Sequence, residues 1–321
     1  MRRLEIRESL TPPEILHVTS MLDAAESATG HQSIDRQRLP AMTGGGKGVT
    51  GILSWSPETG RPVAYAQVTR MDDGPSHDKP AWVLDLVTDP RQADEAVAIG
   101  GEALHAAMDL VGRRGGGAVQ WWVRRPTPVH DAVADAVGLK PTRDLCQLRR
   151  TLPLEGIREP EPLVLRAFRP GHDEEAWLAV NNRAFHWHPE QGGWDRSTLE
   201  GRKREPWFNP EGFLLHERDG RLAGFCWTKI HPDDEPPLGE IYVIGVDPDF
   251  QGLGLGRSLV VAGLDWLAGR GLGVGMLWVD LSNEAALRLY RSMGFTVHQF
   301  DRAYTGEVLA GGTSDPLDTD R

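Results

Sequence analysis

Apolar residues run almost unbroken from Ile241 to Val246 and again from Val274 to Val279. Short runs of this kind, rich in β-branched side chains, predict strands buried on both faces. Between them the period lengthens. Leu259, Val260, Leu264 and Leu267 recur at helical spacing between Ser258 and Ala268, and a second helix is predicted from Glu284 to about Ser292. Gly294 can take the left-handed conformation that closes a helix, and Phe295 starts a further strand. Strands alternating with helices in this way predict an α/β fold.

The pattern is written twice, with a period of about 160 residues, which marks a duplicated domain rather than a solenoid. Glu58-Thr-Gly-Arg-Pro-Val-Ala-Tyr65 echoes Asp219-Gly-Arg-Leu-Ala-Gly-Phe225, each a turn leading into a strand. Trp82-Val-Leu-Asp-Leu-Val-Thr-Asp-Pro90 echoes Ile241-Tyr-Val-Ile-Gly-Val-Asp-Pro248, and Trp121-Trp-Val with Gly138-Leu139 echoes Trp278-Val with Gly294-Phe295. Pro153 to Pro162 reads as a linker, and the Gly/Ser/Asp/Thr-rich end as a disordered tail. The expected division is 1–152, a linker at 153–162, a second domain at 163–309 and a tail at 310–321.

A chain of 321 residues can hold two separate cores. Its net charge of −11 argues against nucleic acid or an anionic membrane as partner and says little more; a monomer is expected. Cys146 and Cys226 form no metal or redox spacing, and the N-terminus lacks the apolar stretch of a signal peptide. Both suit a reducing cytoplasm.

Gln251-Gly252-Leu253-Gly254-Leu255-Gly256-Arg257 lies between the first apolar strand and its helix. A glycine-rich turn at a helix N-terminus offers unpaired N–H groups and the positive end of the dipole, which together hold phosphate. The dinucleotide fingerprint G-x-G-x-x-G fails because Arg257 or Leu259 stands where the last glycine belongs. Gly44-Gly-Gly-Lys47-Gly48 fails as a P-loop, since no Ser or Thr follows the lysine. An ordinary tight turn is the plain alternative. Gln251, Gly254 and Gly256 resemble Q-x-x-G-x-G, the coenzyme A pyrophosphate loop of the GCN5-related N-acetyltransferases (GNAT). Asn283, Ala286, Tyr290, Gly294 and Phe295 match that family's second motif, N-x-x-A-x-x-x-Y-x-x-x-G-F. Seven residues are nearly two turns, so Asn283 and Tyr290 share a helix face about 10 Å apart along the axis.

The resemblance implies two tandem GNAT domains, each a mixed, mostly antiparallel sheet flanked by helices, and acetyl-CoA as cosubstrate with no metal. It implies that the loop from Gln251 to Arg257 holds the pyrophosphate, and that Ile244, Gly245 and Val246 bulge to pair with the pantetheine arm. Gly245 could equally serve tight packing. Asn283, Glu284, Ala285, Ala286, Leu287 and Arg288 would border the coenzyme's other side. Glu240, at the start of that strand, would accept the amine's proton, and Tyr290 would protonate the departing thiolate. The plain readings are a solvated strand-end glutamate and a half-buried helix tyrosine. Only the second half is expected to work, because Arg91 to Ile99 lacks the glycines and would bring Asp94 and Glu95 against phosphate, and Ala134 replaces the tyrosine.

His188 to Trp194, Trp227 to Pro232 and Leu238 to Pro248, on this tandem arrangement, resemble the mycothiol synthase family of actinobacteria. That resemblance implies N-acetylation of the cysteinyl amine of cysteinyl-glucosaminyl-inositol, with Asp35, Glu190, Lys229, Glu240 and Trp278 contacting the acceptor. Apart from the resemblance, Glu190 and Lys229 read as ordinary charges and Trp278 as core. His186 and His188 lack the further ligands that a metal needs. Another small amine or protein N-terminus as acceptor, or a non-catalytic acyl-CoA sensor, are the rival functions.

Overall fold

The structure is a computed structural model that describes residues 2–31, 34, 48–71, 81–156, 162–186 and 191–311. Two units divide the chain, one of Met1–Asp144 with Phe300–Arg321 and the other of Leu145–Gln299. In the first, β1 (Arg3–Arg7), α1 (Pro12–Thr29), β2 (Val49–Trp55), β3 (Pro62–Met71), β4 (Ala81–Thr88), α2 (Ala96–Arg113), β5 (Gly117–Arg124) and α3 (Pro128–Ala136) follow one another. The strands lie in the order β1-β2-β3-β4-β5, and only β4 and β5 are parallel.

The second unit takes in most of β6 (Lys140–Thr151), then β7 (Leu165–Ala167), α4 (Glu174–Ala184), α5 (Arg196–Lys203), β8 (Phe213–Arg218), β9 (Arg221–His231), β10 (Leu238–Val246), α6 (Leu255–Ala268), β11 (Val274–Asp280) and α7 (Glu284–Ser292). Its sheet runs β6-β11-β10-β9-β8-β7, again with a single parallel pair, β10 and β11. The strands predicted at 241–246 and 274–279 and both predicted helices are present, each within a few residues of the expected bounds.

The units do not follow the contiguous division expected at residues 152 and 163. β12 (Thr296–Val308) pairs with β5, from Asp301 opposite Arg124 to Val308 opposite Gly117. Leu145 to Thr151 of β6 pairs with β11, from Asp280 to Val274. Each repeat therefore lends its last strand to the other unit. The two strands hold equivalent places in the duplication, and an open edge needs a strand of the right length whichever repeat supplies it.

The second sheet buries both faces. Against one, Leu259, Val260, Leu264 and Leu267 of α6, all fully buried, meet Cys226, Ile241 and Leu277, with Leu287 and Tyr290 of α7 beside them. Against the other lies an aromatic cluster in which Trp227 stacks on Phe213 at 4.4 Å and meets the Trp177 ring edge-on at 5.8 Å. The sheet is thus packed on both sides.

Candidate active site

β10 and β11 part early. Their parallel ladder holds Gly239, Glu240 and Ile241 against Gly275, Met276 and Leu277 and goes no further. Beyond Ile241, β10 stays paired with β9 alone, down to Val246 opposite Gly224. Its N–H and C=O groups on the β11 side are left to face a wedge, where an extended amide-bearing arm can pair with them. The ladder to β9 slips between Ile241 and Val243, so the extra residue is Tyr242. The bulge expected at Ile244, Gly245 and Val246 is therefore found earlier, and of the two readings of Gly245 the packing one holds: a Cβ there would lie 2.9 Å from the Phe225 ring.

At the end of β10 the Asp247 carboxylate accepts the Asp249 N–H at 2.9 Å, shaping a tight turn over Pro248–Phe250. Gly252 and Gly254 then take φ of 80° and 77°, with nothing within 4 Å of where a Cβ would stand. Gly254 is also the N-cap of α6, and no side chain caps that end. An uncapped helix start, opened by two left-handed glycines into free space, suits a diphosphate. Gln251 and Leu253 are exposed beside it, Leu255 is buried under the first turn, Gly256 faces Leu289, and Arg257 donates to the Ser292 hydroxyl at 3.1 Å. Gly254→Val should weaken coenzyme A binding roughly tenfold to hundredfold, the equivalent of about 1–3 kcal/mol of backbone strain. Isothermal titration checks it, with thermal unfolding as control.

Asn283 turns out to have a structural task. Its Oδ1 accepts the Ala286 N–H at 3.1 Å, capping α7. Of the stretch 284–288, Leu287 points into the core, while Glu284 and Arg288 form an exposed ion pair at 3.0 Å; Ala285 and Ala286 lie between. Tyr290 is 7% exposed and meets Phe295 edge-on at 5.6 Å, so it is a buried residue rather than a half-buried one. Burial raises its phenol well above the usual range, and the neighbouring Cys226 thiol adds to this. The phenol therefore keeps its proton at any working pH. Burial also pushes the Cys226 thiol up to about 12, so it is no nucleophile.

Lys229, Glu240 and Trp278, expected to contact the acceptor, gather on the sheet face away from α6 and α7. Lys229 stands opposite Glu240 across β9 and β10, and Met276 opposite Glu240 on β11. Trp278, half-buried, follows Met276 on the same face, because side chains alternate along a strand. The Lys229 ammonium lies 4.8 Å from the Trp207 ring centroid and 5.8 Å from that of Tyr242, within reach of a cation–π contact. Glu240 is buried and accepts from, or shares a proton with, His231, whose Nε2 is 2.7 Å from its Oε2. On β6, Arg149 donates to Gln147 at 2.8 Å, and these two stand opposite Met276 and Trp278. Asp35, Glu190 and His188 lie outside the described residues. Among those described, no three His, Cys, Asp or Glu side chains come together as metal ligands would.

Sequence reasoning missed His231, Trp207, Tyr242, Gln147 and Arg149. His231 alone carried a signal, since it alternates with Lys229 along a strand; Trp207 and Gln147 reach the site through the fold.

The first unit has the same parting, its β4–β5 ladder ending at Leu84 opposite Trp121. A cavity of about 260 Å³ opens there, lined by Leu86, Val87, Thr88, Trp121 and His130 among others. Its helix-entry turn differs. The Asp89 carboxylate accepts the Arg91 N–H at 3.0 Å, as Asp247 does the Asp249 N–H, but Pro90–Glu95 then forms a 3-10 turn without a left-handed glycine, and Glu95 stands as the N-cap of α2.

The model of the Acetyltransferase (GNAT) family matches residues 179–295. With the parted strands and the uncapped glycine turn, this defines the chain as a GNAT N-acetyltransferase, an enzyme that uses acetyl-CoA as cosubstrate. A tandem GNAT protein from the clavulanic acid biosynthesis pathway has the same fold over 98% of this chain and 100% of its own, at 15% identity and a TM-score of 0.67. Mycothiol acetyltransferase of Acidimicrobium ferrooxidans is 42% identical over 88% of this chain and 91% of its own length. That of Thermobispora bispora is also 42% identical, over 94% and 98%. The chain belongs to the mycothiol acetyltransferase family.

Proposed function

We propose that the second unit transfers the acetyl group of acetyl-CoA to the cysteinyl amine of cysteinyl-glucosaminyl-inositol, the step that completes mycothiol. The observation that carries this is the buried Glu240 opposite Lys229, one rung before the last that β10 shares with β11. A carboxylate there attracts an ammonium, while a lysine held between aromatic rings donates to sugar hydroxyls and Trp278 covers an apolar ring face. Gln251 to Arg257 hold the diphosphate, and β10 N–H groups beyond Ile241 hold the pantetheine arm and polarise the thioester carbonyl. Glu240 takes one proton from the ammonium, the neutral nitrogen bonds to the acetyl carbon, and as the carbon–sulfur bond breaks Tyr290 gives its proton to the sulfur; the nitrogen's surplus proton leaves to solvent, from which Tyr290 regains its own.

The first unit lacks a working copy of this machinery. Its helix-entry turn has no left-handed glycine and ends on Glu95 at the N-cap, and the tyrosine position is Ala134. The acceptor is a small molecule, and a net charge of −11 disfavours a polyanionic partner.

Mass analysis of products from acetyl-CoA with a panel of amines tests the assignment. Acetylated cysteinyl-glucosaminyl-inositol should dominate; faster turnover of an aminoglycoside, polyamine or peptide would replace it, and thiol release from none would leave a sensor. Glu240→Gln gives a second check. An α-amine has a pKa near 8, so about one molecule in ten is neutral at pH 7. Without the base, acceptor kcat/KM should fall about tenfold at pH 7 and approach the parent enzyme by pH 9.

A further inference from the structure

We propose that His231 works through Glu240 as a positioning residue and proton exit, carrying to solvent the proton that the carboxylate takes from the acceptor's ammonium. The inference rests on the acetyl-transfer reading of this face. Glu240 has a side chain only 9% exposed, so a proton placed on it has little direct access to water. His231 Nε2 lies 2.7 Å from its Oε2, and the imidazole is 25% exposed. Among the described residues no other side chain is within hydrogen-bond or ion-pair distance of that carboxylate. His231 also closes β9, opposite Leu238 at the last rung before the hairpin turn, so its outer nitrogen is at the rim of the sheet.

The charges around the pair favour outward transfer. Lys229, opposite Glu240 on β9, is directed to the Trp207 and Tyr242 rings rather than to the carboxylate. Arg149 of β6 shares the face, two strands away, and is tied to Gln147. Arg202 of α5 and Glu205 just beyond it act on Tyr242, as Glu240 does. Asp233, Asp234 and Glu235 fill the exposed hairpin that follows His231 and supply acceptors for a departing proton. The steps balance. The ammonium N–H bond breaks and an O–H bond forms at Oε1 of Glu240; the proton shared between Oε2 and Nε2 moves fully onto Nε2, and Nδ1 releases its own to water. A second shift returns the imidazole to its first tautomer. Imidazole suits such a task because it gives and takes a proton near neutrality.

A purely structural histidine would hold Glu240 in place equally well at every pH, and this separates the two roles. His231→Gln keeps an N–H donor for Glu240 but carries no proton. Its acceptor kcat/KM should fall up to about tenfold at pH 7, where most of the α-amine is protonated, and approach the parent enzyme by pH 9. Imidazole added to the buffer should restore part of the loss. Combining it with Glu240→Gln should cost no more than Glu240→Gln alone. His231→Asn serves as second variant if His231→Gln lowers the melting temperature. Parent-like rates at pH 7, or a deficit constant from pH 6 to 9, would overturn the proposal with acetyl transfer untouched. Should the parent enzyme release no thiol with any amine, the acetyl-transfer reading fails and the relay falls with it.

Discussion

Tyr290→Phe should lower kcat by about 10²–10⁴-fold, the usual contribution of a positioned general acid. The departing thiolate needs a proton, and Tyr290 is a phenol that burial keeps neutral. Phenylalanine keeps the ring, so the edge contact with Phe295 and the packing under α7 survive and stability should change little. Coenzyme A binding should also persist, because the diphosphate turn and the β10 wedge are untouched. The loss should then appear equally in kcat and kcat/KM, as expected for an interaction made only in the transition state. Stopped-flow thiol release with acetyl-CoA gives the number. An acetyl thioester of a more acidic thiol, which leaves without help, should recover much of the rate. Full activity in Tyr290→Phe would move the acid role elsewhere.

The parts of this site that were legible in the sequence are those that the chain builds locally. The run from β10 through the glycine turn to α6 is contiguous, and its chemistry follows from residue types at fixed spacing: apolar strand, two glycines that need φ above zero, helical period. The same holds for α7 and Tyr290. What the sequence hid depends on choices between equivalent partners. The exchange of β6 and β12 leaves no local trace, because strands from equivalent places in a duplication carry the same pattern. Gly245 was ambiguous for a different reason. A glycine inside a strand marks either a bulge or a close neighbour, and only the fold reveals that Phe225 is that neighbour. Asn283 likewise fits a motif position, yet its side chain oxygen serves the helix cap. The acceptor face was the least legible part. Lys229, Glu240 and Trp278 come from three strands and Trp207 from a loop far from all of them, so nothing in their spacing links them.

Trp227→Ala should destabilise the second unit by about 3–5 kcal/mol, the cost of emptying a large buried aromatic site. The residue is fully buried on β9 and has rings on every side: Phe213 stacked at 4.4 Å, Trp177 at 5.8 Å, Phe208 at 5.7 Å, Tyr242 at 5.3 Å and Trp207 at 5.7 Å. Partial collapse around the void would move the last two, and they hold the Lys229 ammonium. Urea unfolding should therefore show the stability loss, and the acceptor KM should rise at temperatures where the variant remains folded, with the acetyl-CoA KM nearly constant. Trp227→Phe separates packing from polarity. The indole Nε1 is buried with no hydrogen-bond partner among the described residues, so removing it forfeits no hydrogen bond and relieves an unpaired donor. Phenylalanine should then cost well under half as much as alanine. An equal cost for the two would mean that the indole's extra ring, rather than the cluster as a whole, carries the packing.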